Sequence, residues 1–435
     1  MSLQFITGGS GAGKSEYLSR LVCEESVRRP HDNFIVVVPE QYTMETQKKL
    51  VHMHSRKGIL NIDVVSFERL AYKVFEELGG GNRPVLDDTG KNLIVRRVLE
   101  KEKKKLDYFG SSIEKTGFVS ELKSVISELL QYGITPQQLG EIGENVKEKQ
   151  QLSAKLKDIR LVYKEFMAFL STNYITSEEI LDVLCGLVEK SKLIAGSEII
   201  FDGFTGFTPI QYKLMRLLLV YSKGIKISVT IDKKERPTGH EGWNNLFFMS
   251  KEMMNRLIAI CEEEGINVDD TVCVDRDINY RYEGAKDLAY LERNLFRYKG
   301  GVYTGTPENI RIYEGSNPKE ELQYIVSEIL QLTRKEGFRY RDIAVVTADL
   351  ETYGKVAANM MKQNDIPAFL DYKRSVASNP YVEMLCSALE IVEKGYPYDT
   401  MFRYLRTGLT GISRHDIDML ENYCLAVGIR GSRAW

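Results

Sequence analysis

Eight residues near the N-terminus, Gly8-Gly9-Ser10-Gly11-Ala12-Gly13-Lys14-Ser15, have the types and the spacing of a loop that holds phosphate. Glycines let the backbone take positive φ and turn successive N–H groups inward, which makes a concave anion nest at a helix N-terminus. In such a loop Lys14 reaches the β and γ phosphates and the Ser15 hydroxyl ligates Mg²⁺, so the cofactors implied are ATP and Mg²⁺. A second candidate stands far along the chain. The apolar run Ile199-Ile200-Phe201 ends at Asp202, the position at which a nucleotide-binding sheet places the carboxylate that holds Mg²⁺ through water.

The elements that must position these groups follow from periodicity. Leu3 to Thr7 reads as a strand and Glu16 to Val22 as a helix, so the glycine loop has the strand-to-helix setting its chemistry needs. Asn33 to Val38 is a continuous β-branched run, suited to a strand buried on both faces. A helix with Met44, Leu50 and Val51 follows, then a strand over Ile59 to Ser66. An amphipathic helix through Leu70, Val74, Phe75 and Leu78 stops at Gly79-Gly80-Gly81. Alternating strand and helix predicts a parallel sheet covered on both faces. Between 84 and 194 the pattern is almost purely helical. The α/β pattern returns with Glu198 to Phe204, a helix with Ile210, Leu214, Leu217 and Leu218, and a strand over Ile225 to Ile231, giving at least five strands. Residues 233 to 305 are loop-rich and then helical, over Leu246 to Glu264 and Asp287 to Phe296. Gly300-Gly301 and Thr304-Gly305-Thr306-Pro307 mark a boundary. A second α/β unit is predicted beyond it: strand Asn309 to Tyr313, helix Pro318 to Lys335, strand Ile343 to Thr347, helix Tyr353 to Asn364 and strand Ala368 to Leu370. From about 380 the chain is helical.

Composition narrows the function classes. With 435 residues and 43% hydrophobic content the chain suits two to four domains with real cores. Its formal net charge is only -2, so any nucleic-acid surface is local rather than a global basic field. The run Lys101, Lys103, Lys104, Lys105 reads as a solvated helix end. Cys23, Cys185, Cys261, Cys273, Cys386 and Cys424 include no CxxC pair, read as small buried apolar residues, and suit a reducing cytoplasm. No secretory leader or membrane span is expected, so the localisation expected is cytoplasmic with no membrane partner. His52 and His54 form an HxH whose side chains are expected to diverge on a helix, without a metal.

Two α/β units, with a helical insertion in the first and another starting in the second, resemble the plan of superfamily 1 helicases. The second unit is similar to their second motor domain around Phe338 to Val346. At finer grain the chain resembles the AddB family of the bacterial AddAB helicase–nuclease. The residues that carry this are Leu3 to Ser15, Val38-Pro39-Glu40-Gln41-Tyr42-Thr43, Phe201-Asp202-Gly203-Phe204-Thr205-Gly206-Phe207-Thr208, and Ile366 to Asp371 followed by Asn379-Pro380. The resemblance implies a P-loop (RecA-like) α/β fold with two parallel-sheet domains and helical insertions. The first motor domain would be 1–83 with 195–305, the first insertion 84–194, the second motor domain 306–395, and the start of another insertion 396–435. The chain is expected to be an N-terminal portion of a longer protein.

The resemblance further implies an AddA-like helicase/nuclease partner, work at DNA double-strand ends, passage of single-stranded DNA, and a part in recognising the Chi recombination signal. DNA contacts are expected from Pro39, Glu40, Gln41 and Tyr42, with Tyr42 as a stacking platform. A nuclease domain and an iron–sulfur cluster are implied only beyond these residues. The departures from an active motor are Gly203, where such motors carry the water-activating Glu, and Ala348, where an arginine usually stands near the γ-phosphate. Losing both removes groups that act on the transition state while leaving those that bind phosphate. ATP binding with slow or no hydrolysis is expected, and no residue is assigned as catalytic. Two other readings stay open, a small-molecule kinase that uses the same loop and a DNA-binding scaffold in which ATP is structural.

Overall fold

The computed structural model describes all residues except 80–83, 114, 116, 146–148, 177–178, 237, 240–241, 298–299 and 371–375. Gly80, Gly81 and Asp371 of the sequence motifs lie outside the described residues. The chain divides into two units, Met1–Ile310 and Arg311–Trp435.

The first unit begins with β1 (Ser2–Gly8), α1 (Lys14–Arg28), β2 (Asn33–Val37), α2 (Thr43–Met53), β3 (Ile62–Val65) and α3 (Phe67–Leu78). A helical region follows: β4 (Val85–Leu86), α4 (Asp88–Glu102), α5 (Phe118–Gln131), α6 (Pro136–Asn145), α7 (Gln150–Asn173) and β5 (Ile175–Thr176). The chain then returns through α8 (Ile180–Cys185), α9 (Lys192–Ala195), β6 (Ser197–Phe201), α10 (Pro209–Tyr221), β7 (Gly224–Thr230), α11 (Phe248–Glu264), β8 (Asn267–Val268), β9 (Val272–Cys273) and α12 (Lys286–Asn294).

Among the described residues the main sheet runs β3-β2-β6-β7-β1-β8, with β9 also on β1, and every pairing is parallel. The β-branched runs explain why. Parallel strands need cover on both faces, and alternate residues here are apolar on both. Leu3, Phe5, Ile35, Val37, Ile199, Phe201, Ile225 and Ile227 face α3, α8, α10 and α11, whereas Ile6, Phe34, Val36, Val38 and Ile200 face α1 and α2. Each fully buried Leu, Ile or Phe contributes about 1.5–3 kcal/mol. Because all strands run one way, the segments after β1, β2, β6, β7 and β9 gather at one edge of the sheet, where open α/β sheets bind ligands.

The helical region has its own core, built from Leu86, Val95, Leu99, Ile126, Val162, Phe166 and Leu170 among others. Within it Asp158 is buried and accepts the N–H groups of Asp107, Tyr108 and Phe109 at 3.1, 2.8 and 2.9 Å. Ile180, Leu184, Val188 and Ile194 pack instead into the core of the main sheet. The pairing of β4 with β5 closes the region, and strands this short leave no periodic trace in the sequence. Lys101 and Lys105, both exposed, pair with Glu165 and Glu102.

The second unit holds α13 (Pro318–Lys335), α14 (Leu350–Gln363), α15 (Pro380–Glu393), α16 (Tyr398–Leu405) and α17 (Arg414–Val427). Asn317, Asp349, Asn379 and Ser413 cap four of these helices through side-chain oxygens. The second parallel sheet expected from the sequence is not formed: among the described residues 309–313, 343–347 and 368–370 belong to no strand. A strand needs a neighbour to satisfy its N–H and C=O groups, and among the described residues no ladder pairs these segments. Ile312, Val346 and Phe369 are left at least nine-tenths exposed. Segments 343–347 and 366–370 border an apolar groove of about 820 Å³ with Leu322, Ile325 and Met361.

Two cysteines depart from expectation. Cys23, Cys185, Cys261 and Cys424 are buried, but Cys273 on the short outer strand β9 and Cys386 on α15 are exposed.

Candidate nucleotide site

The glycine loop Gly8–Ser15 joins β1 to α1 at the gathered edge. Gly11 and Gly13 hold φ of 72° and 94°, conformations that L side chains rarely take, and Gly13 is the residue from which α1 starts. The first turn of α1 therefore opens on the loop, with Lys14 and Ser15 at its head and its unpaired N–H groups facing any ligand. Lys14 Nζ folds along the loop and donates to Gly8 O and Gly9 O, both at 2.9 Å. Burial holds the Lys14 ammonium below the usual lysine range; Asp202, Asp275 and Glu292 pull against that shift and Arg281 adds to it. Gly8, Gly9 and Ala12 are buried, and Ser10 and Ser15 are exposed.

Asp202 follows β6 and is anchored from the neighbouring strand β7. Its Oδ1 accepts a hydrogen bond from Ser228 Oγ at 2.5 Å, and Ser228 Oγ in turn accepts from Gly203 N at 3.3 Å. The Asp202 N–H donates to Val37 O at 3.1 Å, which fixes the turn against β2. Gly203 has φ of 83°, and a β-carbon added there would meet the Pro39 ring at 3.4 Å. The Pro-Glu-Gln block after β2 and the Asp-Gly-Phe block after β6 are thus packed together. Pro39–Tyr42 forms a tight turn in which Tyr42 N donates to Pro39 O at 2.9 Å and Thr43 Oγ1 to Glu40 O at 2.9 Å. Glu40 pairs with Arg69, Gln41 is exposed, and Tyr42 is half exposed. Beneath Asp202, Phe67, Phe201, Phe204 and Phe207 pack edge to face or tilted, with centroids 5.4–6.1 Å apart.

The loop is also held from a segment the sequence did not single out. Asp275, which follows β9, accepts the Gly9 N–H at Oδ1 (2.8 Å) and the Lys233 N–H at Oδ2 (2.9 Å). Buried Asn279 donates from Nδ2 to Ser10 O at 3.4 Å, and Arg281 N donates to Gly11 O at 3.3 Å. Tyr280 faces Gly13. Asp275 ends a strand as Asp202 does, which is a signal of sorts; nothing local marks Asn279 or Arg281.

Ala348 lies in the second unit, exposed. His52 and His54 have different partners, Lys48 O at 2.7 Å and Ser26 Oγ at 3.2 Å. Among the described residues no group of three or more His, Cys, Asp and Glu is arranged to hold a metal, and no helix is long and apolar enough to cross a membrane. Mg²⁺ in a nucleotide site asks for less, one or two protein oxygens with waters and phosphates supplying the rest. Exposed Ser15 and the Asp202 carboxylate, of which Oδ1 alone is hydrogen-bonded among the described residues, fit that requirement.

Comparison with known proteins adds an independent line. A family model for "ADDB, N-terminal" matches residues 5–292. The chain is 42% identical over 434 residues to the B subunit of the ATP-dependent helicase/deoxyribonuclease of Lachnoclostridium phytofermentans, covering 99% of this chain and 38% of that protein. It is 37% identical over 436 residues to the protein of the same name from Caldanaerobacter subterraneus (100% and 37%), and 36% identical over 438 residues to that of Clostridioides difficile (100% and 38%). The chain therefore spans somewhat over a third of the length of these relatives.

Proposed function

Since the chain belongs to the AddB N-terminal family, we propose that it is the nucleotide-binding, helicase-like part of one component of an ATP-dependent DNA helicase and deoxyribonuclease, and that it binds ATP with little or no hydrolysis. The observation that carries this reading is the loop Gly8–Ser15 at the head of α1, with Lys14 inside it and Asp202 on a strand one removed from β1. The strand between them, β7, supplies Ser228 to hold the carboxylate, so the Mg²⁺ ligand is preorganised while the cation itself is carried by the nucleotide.

The proposed weakness in hydrolysis has a backbone cause as well as a chemical one. Position 203 carries no carboxylate to orient water, and its positive φ favours glycine over glutamate. At Ala348 the resemblance implies the loss of an arginine that such motors use for the γ-phosphate. Superfamily 1 motor architecture, an AddA-like partner that supplies the hydrolysis, DNA double-strand ends as substrate and a part in Chi recognition belong to this proposal. So do single-stranded DNA contacts from Pro39, Glu40, Gln41 and Tyr42. Half-exposed Tyr42 offers a ring face for a base, and one stacked base contributes about 1–3 kcal/mol.

Equilibrium binding of ATP with Mg²⁺ tests the reading. Wild-type chain binds, and Lys14→Ala loses at least about tenfold in affinity, which corresponds to about 1.4 kcal/mol, with an unchanged melting temperature. Undiminished binding by a folded Lys14→Ala would sink the assignment of the loop.

A further inference from the structure

Arg281 reaches the phosphate loop from 271 positions beyond Ser10. Its N–H donates to Gly11 O at 3.3 Å, its β-carbon would lie 2.5 Å from a β-carbon added at Gly11, and its Nη1 stands 3.5 Å from Ser10 Oγ. The backbone that carries it is fixed on the loop. Asp275 takes the Gly9 N–H, and Asn279 accepts the Arg276 N–H at Oδ1 (3.1 Å) while donating to Ser10 O. Tyr280 fills the space over Gly13, its ring flanked by the Arg276 guanidinium 3.5 Å from the centroid.

Several charges around this segment are matched, while the Asp275 and Glu292 carboxylates flank the loop at Gly9. Lys233 pairs with Asp277, Arg297 with Asp232 and Glu235, and Arg276 with Glu283. Among the described residues Arg281 has no carboxylate partner. Its charge instead bears on Lys14, which a second cation beside it disfavours. Two cations at the loop, Lys14 and Arg281, one of them a planar fork suited to phosphate oxygens, suit a polyanion larger than a single phosphate. Lys14 Nζ lies beside Gly8 and Gly9, the same half of the loop that Arg281 covers. An ammonium in this position serves the β and γ phosphates, so an arginine over the same half of the loop would stand on the side of those two phosphates.

We propose that Arg281 is a phosphate ligand supplied in cis, which binds the γ-phosphate of a nucleoside triphosphate seated in the loop and makes the site discriminate ATP from ADP. This rests on the reading that the loop binds ATP. One arginine for the terminal phosphate then comes from the first unit itself, without a carboxylate at 203 to go with it. Arg281 thus serves ground-state binding and the sensing of nucleotide state.

The test is equilibrium binding of ATP and of ADP, each with Mg²⁺, to the 435-residue chain and to its Arg281→Ala, Arg281→Lys and Lys14→Ala variants, with thermal melting of each as a check on folding. Arg281→Ala is expected to lose about tenfold in ATP affinity while ADP affinity stays within about twofold, and Arg281→Lys to recover part of the difference. Lys14→Ala weakens both nucleotides. Unchanged ATP binding by Arg281→Ala, or an equal fall for ATP and ADP, would overturn the proposal and leave Arg281 as packing on the loop. If the wild-type chain binds neither nucleotide, the ATP reading fails first, an outcome distinct from an arginine that does not discriminate.

Discussion

Gly203 and Pro39 meet across two neighbouring strands: a β-carbon placed on Gly203, at its φ of 83°, would stand 3.4 Å from Pro39 Cδ. The turn that follows Asp202 is therefore set by a left-handed backbone wedged against the turn that follows β2. Replacing Gly203 by Glu puts a full side chain in a conformation that costs about 1–2 kcal/mol. Gly203→Glu is expected to lower thermal stability by that amount and to bring no ATP turnover, because the strained backbone does not aim the new carboxylate. Gly203→Asn, which tolerates positive φ better, is expected to cost less. Denaturant titration measures the stabilities; equal stability of Gly203→Glu and wild type would contradict the account.

Ser228 links the two sides of the same turn, through Asp202 Oδ1 and Gly203 N. Ser228→Ala removes both links from a buried position. A loss of about 1–2 kcal/mol in stability is expected, since one of the bonds is to a carboxylate. The Mg²⁺ dependence of ATP binding should shift to higher Mg²⁺ concentration as Asp202 loses its anchor. A magnesium titration at fixed ATP that superimposes on wild type would remove Ser228 from the site.

Asp158 makes a prediction for the helical region. It is fully buried and holds three consecutive backbone N–H groups that have no helix partner. Asp158→Ala strands those donors and is expected to cost at least about 3 kcal/mol, from about 1–3 kcal/mol for each unsatisfied group. Asp158→Asn keeps one acceptor oxygen and should fall between. Urea unfolding followed by helical signal checks both, and a change under about 1 kcal/mol in Asp158→Ala would refute the role.

Asp287 sets a pH dependence. The Asn309 N–H, followed by the Asn309 side chain and the Leu288 and Glu308 N–H groups, holds its carboxyl down to about 2 against the cost of burial. A folded-state value below the unfolded one means that the stabilisation is full above the unfolded value of about 4 and is lost as pH falls toward 2. The melting temperature should therefore decline across that window in wild type, and less steeply in Asp287→Asn, which no longer titrates. Parallel profiles for the two proteins would assign the acid sensitivity elsewhere.

Much of the first unit is written in local pattern. Continuous β-branched runs such as Phe34 to Val38 announce buried parallel strands, and Leu70, Val74 and Phe75 show the face that α3 turns to the sheet. The glycine loop Gly8–Ser15 is legible because all its residues are consecutive. What escaped is what distance in sequence hides. The two-residue strands β8 and β9 exist only because β1 offers them an edge. Arg281, Asn279 and Asp275 join the loop only after the whole sheet has been wound. The second unit departs in the other direction. Ile343 to Thr347 has the composition of a strand, but composition alone supplies no partner to pair with, and the segment borders a groove instead.

The proposed ATP binding by the first unit and the proposed lack of effective turnover are both tested on one preparation of the chain. ATP binding and single-stranded-DNA-stimulated ATP turnover are measured side by side, with Lys14→Ala as control. Binding that Lys14→Ala abolishes, with turnover at background in the presence and absence of DNA, is the result predicted. DNA-stimulated turnover that Lys14→Ala abolishes would contradict it, and would mean that a carboxylate other than one at position 203 activates water and that this chain is a motor in its own right.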